Sequence, residues 1–150
     1  MATQIETRQV EEMRCVAVLD ARLPIGHAAN AAAVMALTMG CRQPQLVGAP
    51  LVDGSGAEHP GLVPIGIPVL GAPAADLPAV RAKALKAGLE VVDFPAEGQE
   101  TTDYDEFRRR VAGVETPSLR YVGVMIFGGR KQVSRIVGRY RLLRDDRSTG

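Results

Sequence analysis

Three side chains have the type and placement for chemistry: His27, Asn30 and Asp93. His27 and Asn30 lie three residues apart in an Ala-rich stretch, a spacing that puts both on one face of a helix. A histidine at a helix start can stand beside a bound anion. The plainer reading is a polar N-terminal residue packed on its loop. Asn30 is unusual among Ala, Val, Met and Leu. It can orient a reacting group with His27, or tie the helix to a nearby loop, and the two readings weigh equally. Asp20 and Asp93 each lie at the end of an apolar run. Ligands of open α/β sheets bind beyond the carboxyl ends of strands, where a carboxylate can act as a base. Taken singly, each Asp is more simply a loop-initiating residue.

A fourth feature is Gly128-Gly129-Arg130-Lys131. Two glycines leave backbone amides open to an anion, and a helix start adds positive potential. The competing reading is a tight strand–helix turn with solvated charges. Charge distribution bears on the choice. The 150 residues carry a formal net charge of +1, but unevenly. Residues 1–119 hold 10 Lys and Arg against 15 Asp and Glu, and residues 120–150 hold 8 against 2. Between Arg120 and Arg144 there are seven basic residues and no acid. An anion would be drawn to that segment.

Other chemistries are excluded by what the chain lacks. The loop Ala21–Gly26 has one glycine where a dinucleotide fingerprint needs three, and neither a P-loop nor a Gly-x-Ser-x-Gly elbow occurs. Two histidines, His27 and His59, cannot form a short-spaced metal pair, so no metal and no cofactor is expected. His59 reads as a hairpin residue. Cys15 and Cys41 make no disulfide framework. The most apolar stretch, 28–39, is too short to span a bilayer. The polar N-terminus lacks a secretory pattern, so a cytoplasmic protein is expected, with no membrane partner.

The elements that must position these groups follow from pattern. Cys15–Leu19 is a continuous apolar run, expected to be a strand buried on both faces. His27–Met39 is expected to be a helix, apolar nearly all round and therefore buried, ending at Gly40. Asp53-Gly54 marks a hairpin tip. Ile65–Leu70 is a strand candidate that Pro64 and Pro68 demote to an edge. Ala74–Ala87 reads as a helix stopped by Gly88, and Glu90–Phe94 as a short strand. Thr102–Ala112 reads as a helix with Thr102 and Asp105 as a capping-box variant. Leu119–Phe127 is a strong strand, Arg130–Val137 a short helix, and Arg139–Arg144 a charged edge strand. Alternating strands and helices predict a three-layer α/β/α sandwich with a mixed central sheet over residues 14–144. A flexible leader over 1–13 and a tail over 145–150 are expected to flank it.

The run Leu23-Pro24-x-Gly26-His27-Ala28-Ala29-Asn30, the Asp53-Gly54 turn with His59-Pro60-Gly61, Val91-Val92-Asp93-Phe94 and Tyr121-Val122-Gly123-Val124 together resemble the domain of unknown function 2000 family. That family is grouped with the peptidyl-tRNA hydrolase type II fold. The resemblance implies a mixed sheet with helices on both faces, often in a homodimer. It also implies a hydrolase acting on an ester or amide, with an RNA-linked ester or a small anionic molecule as partner. His27 would then act on the leaving group, Asn30 would orient, Asp93 would assist as base, and Arg130 and Lys131 would bind phosphate. The sequence departs from the hydrolases at the first helix start, where their Lys is missing and His27 stands nearby. It also inserts a helix between Phe94 and Gly113. These departures motivate an alternative, a non-catalytic homodimeric module that binds a small anion or a protein partner.

Overall fold

The computed structural model describes residues 12–145. Its centre is β1 (Met13–Asp20), whose residues Cys15–Leu19 are all buried. The strand pairs antiparallel with β6 (Tyr121–Gly129) on one edge and parallel with β4 (Val69–Ala72) on the other. β5 (Glu90–Pro95) pairs outside β6, and β7 (Arg141–Leu142) outside β4. The result is a five-stranded mixed sheet in the order β5-β6-β1-β4-β7. Two-residue strands β2 (Leu51–Val52) and β3 (Glu58–His59) form a separate hairpin. The Asp-Gly signal placed its tip correctly.

Alternation along β1 divides the core in two. Cys15, Ala17 and Leu19 point to one face, and Val16 and Val18 to the other. The first face is covered by helix α1 (Ile25–Arg42) through Ala28, Ala31, Met35 and Met39. The second is covered by α2 (Leu77–Lys86) and α4 (Arg130–Val137), through Leu77, Val80, Ala84, Val133 and Val137. A further helix, α3 (Tyr104–Ala112), buries no residue and packs Phe107 against Phe94 with ring centroids 6.2 Å apart. The three layers and the mixed sheet match the pattern-based expectation.

Several details differ. Helix α1 is not buried all round. One stripe faces the sheet, while Leu37 is 79% exposed, because this helix is the outermost layer on its side. It also runs through Gly40 to Arg42. The strand expected at 65–70 begins only at Val69 and is internal to the sheet. Prolines 64 and 68 lack the N–H that a ladder needs, so pairing starts after Pro68, whose carbonyl accepts from the Ala17 amide at 3.0 Å. Residues 74–76 form a 3-10 turn ahead of α2. Helix α3 is capped by Asp103, which accepts from the amides of Asp105 and Glu106, not by a Thr102 box. Of the expected leader, Met13 already belongs to β1, and residues 1–11 and 146–150 lie outside the described residues.

The interdigitated core makes a firm prediction. Leu19 is fully buried beneath α1. Truncation to Ala removes its contacts and leaves a cavity, so Leu19→Ala should cost about 2–5 kcal/mol. Urea unfolding measures it, and a loss below about 1 kcal/mol would contradict this packing.

Candidate functional site

Strands β1 and β4 are parallel and end together, with Asp20 opposite Ala72. The pairing continues one step further, as the Ala21 amide donates to the Ala72 carbonyl at 2.9 Å. Beyond it the chain turns. The Asp20 carboxylate accepts from the Arg22 amide at 3.0 Å, and the Leu23 amide reaches the Asp20 carbonyl at 3.2 Å. Asp20 is thus a loop-initiating residue whose carboxylate stands at the mouth of an open cleft.

That cleft has a volume of about 800 Å³. Its walls come from the Asp20–Arg22 loop, the Gly71–Ala75 segment, Arg120, and the chain from Arg141 to Arg144. Arg120 precedes β6, which starts at this end because it runs antiparallel to β1. Arg141 lies on β7 opposite Gly71. A Cβ on Gly71 would meet the Leu143 side chain at 3.1 Å and the Ala21 Cβ at 3.3 Å. The missing side chain therefore lets the last strand and the first loop close on one another.

Except for Arg135, the described arginines outside this cleft have a side-chain partner. Arg81 pairs with Asp93 at 2.8 Å, Arg139 with Asp76 at 2.9 Å and Arg110 with Glu106 at 3.1 Å. Arg14 bonds the Ser134 hydroxyl at 2.9 Å, and Arg42 pairs with Glu90. By contrast, the guanidinium groups of Arg22, Arg120, Arg141 and Arg144 have no ion pair or side-chain hydrogen bond among the described residues. All four line the cleft, with Asp20 as its sole carboxylate among the described residues. Like charges gathered in a concave wall focus a positive potential that concentrates anions.

The groups singled out from the sequence are distributed differently. His27 and Asn30 do share one side of α1, but that side is exposed, away from the buried stripe of Ala28 and Ala31. Asp93 is on the opposite face of the sheet. Its carboxylate accepts from Arg81 of α2, and the Arg81 guanidinium lies 5.8 Å from the centre of the Tyr121 ring. The hydrogen bond to Asp93 holds Arg81 even more firmly protonated, and burial pushes the Tyr121 hydroxyl up from its ordinary value. The sheet separates His27 and Asn30 from Asp93, so the three do not converge on one pocket.

Gly128, Gly129, Arg130 and Lys131 lie at the far end of the sheet, where Gly129 pairs with Met13. Gly128 faces the core, and a Cβ there would come within 2.3 Å of the Leu89 side chain. The Arg130 amide donates to the Glu12 carbonyl at 2.9 Å. Close packing and a backbone hydrogen bond thus account for this junction locally. Sequence reasoning singles out none of Arg22, Arg120, Arg141 and Arg144 as site residues. The acid-free run from 120 to 144 was the signal for three of the four cleft arginines, and nothing in the sequence marked Arg22.

No group of three or more His, Cys, Asp or Glu among the described residues is placed to hold a metal ion. Burial pushes the Cys15 thiol up to about 11. No helix among the described residues is long and apolar enough to cross a membrane.

The family model described as "Protein of unknown function (DUF2000)" matches residues 13–144. No curated protein gives a significant match. Among solved structures, the protein of unknown function Atu0240 from Agrobacterium tumefaciens strain C58 is similar, with a TM-score of 0.79 and 18% identity. The match covers 87% of this chain and 97% of that one. At that identity the likeness establishes the fold. Neither description names a reaction.

His59 has a role in its hairpin. Its Nε2 lies 2.9 Å from the Asp53 carboxylate, which also accepts from the amides of Ser55 and Ala57. These bonds, His59 foremost, hold the Asp53 carboxyl below its ordinary range. A lowered pKa means the clasp is present above the unfolded value and is lost as pH falls through the lower folded value. The Asp53 carboxyl, read at the Ser55 and Ala57 amides, should therefore titrate below the ordinary aspartate value of about 3.9. An NMR titration with a midpoint at or above 4 would contradict the clasp.

Proposed function

Because the chain belongs to the DUF2000 family of proteins of unknown function, whose description assigns no reaction, its own geometry has to supply the reading, and we propose that it binds a small anionic ligand in the arginine-lined cleft. One observation carries this: four arginines with no ion pair or side-chain hydrogen bond among the described residues line the cleft, from the first loop, the start of β6, the last strand and the chain just after it. Side-chain guanidinium groups that stabilise the fold are paired elsewhere on this protein. Planar guanidinium donors match carboxylate and phosphate oxygens in pairs. The location, beyond the carboxyl ends of parallel strands, is the usual ligand site of open α/β sheets.

A binding role follows better than hydrolysis. A hydrolase would need a nucleophile or base within hydrogen-bond reach of its partners. Asp20 is the carboxylate in the cleft wall, and no histidine, cysteine or lysine among the described residues lines that wall with it. The reading therefore takes up the non-catalytic alternative and places its anion on Arg22, Arg120, Arg141 and Arg144.

Calorimetric titration with pyrophosphate tests this. Binding should weaken steeply as salt rises from 50 to 300 mM (~Debye-length screening). Arg141→Ala and Arg120→Ala should each lower affinity about tenfold, about 1.4 kcal/mol. A loss of affinity in Arg130→Ala with none in Arg120→Ala would move the anion to the far end of the sheet. No heat for the unaltered protein would reject the proposal.

A further inference from the structure

A second cleft of about 480 Å³ adjoins the first and shares Ala21, Arg22, Leu143 and Arg144 with it. Its chemistry is different. Leu23, Pro24, Ile25 and Ala28 supply an aliphatic wall, and Leu143 lies at the junction. Ile25 opens helix α1 and is 78% exposed, an isolated large apolar side chain directly beside a cationic site. Asp145 is the acid on this side. No aromatic side chain among the described residues lines either cleft, so those walls offer a base no platform to stack on.

We infer that the ligand is an anionic amphiphile, with a single oxyanion head held by the arginines and an uncharged aliphatic tail lying along Leu23, Pro24 and Ile25. This rests on the anion site proposed above and adds the part of the ligand that the anion site leaves undefined. Arg22 and Arg144 line both clefts, so they stand where head and tail join. Their methylene stems can cover the start of the tail while their guanidinium groups serve the head. The head is a carboxylate or a phosphate monoester, which share the same paired-acceptor geometry.

Calorimetry on the full chain separates the two levels. Inorganic phosphate, octyl phosphate, octanoate and adenosine monophosphate are compared at one ionic strength. Octyl phosphate should bind at least tenfold tighter than inorganic phosphate, since each buried methylene adds apolar transfer free energy. Adenosine monophosphate should gain less than threefold. Octanoate against octyl phosphate identifies the head, and the tighter of the two names it. Ile25→Ser should reduce the octyl phosphate to phosphate affinity ratio at least threefold, and its high exposure makes it a mild change for folding. Arg141→Glu should weaken every ligand. If phosphate binds and octyl phosphate gains nothing, or adenosine monophosphate gains more than octyl phosphate, the tail assignment is overturned while the anion site stands. If none of the four binds, the anion site itself is rejected.

Discussion

The hydrogen bonds that β1 makes along both of its edges determine where every other element can lie. With β6 and β4 paired on its two edges, Cys15–Leu19 have no contact with water, so their side chains must alternate between two dry layers. Each layer then needs its own cover. Helix α1 closes one side, and α2 with α4 closes the other. The same pairing brings the end of β1, the end of β4 and the start of β6 to one rim. Residues 20–22, 71–75 and 120 therefore meet in space despite their separation in the chain.

This arrangement explains why the charge imbalance along the chain has a spatial consequence. The basic C-terminal segment does not form one uniform surface. Part of it, including Arg130 and Arg135, lies on α4 over one face of the sheet. Arg139 is tied to Asp76 and Tyr140. Only Arg120, Arg141 and Arg144 reach the rim, and there they meet Arg22 from the otherwise acidic body. A nearly neutral protein thus presents one strongly cationic recess. The cost of gathering like charges is tolerable because the recess is open to water, where repulsion is weak.

The fold was legible in the sequence wherever burial leaves a clear pattern. Cys15–Leu19 has no polar interruption, Gly88 sits at φ +74° after its helix, and Asp53-Gly54 marks its turn. Reading failed where a tertiary neighbour decided the outcome. The stretch from Ala28 to Met39 looks apolar on every side because Ala is compatible with both core and surface, and only the sheet shows which stripe is covered. The site was harder to read for the same reason. His27 and Asn30 were correctly placed on one side of a helix, but helical spacing says nothing about which side faces the protein. Asp93 ends a strand as expected, yet its partner Arg81 comes from a helix on the other face. Arg22 and Arg141 are ordinary as residues and become informative only through a neighbour more than a hundred positions away.

The last strand of the sheet is only two residues long and lies at its edge, with Arg141 and Leu142 both exposed. Short edge elements with little buried area sit at the low end of the free-energy scale for local opening. Two of the four cleft arginines are carried on this strand and the residues just after it, whereas the two core layers extend over β1, β4 and β6. Undocking of the C-terminal segment would therefore dismantle the recess and leave the hydrophobic interior intact. An anion held in the recess would then protect the C-terminal segment from local opening more than it protects the two core layers.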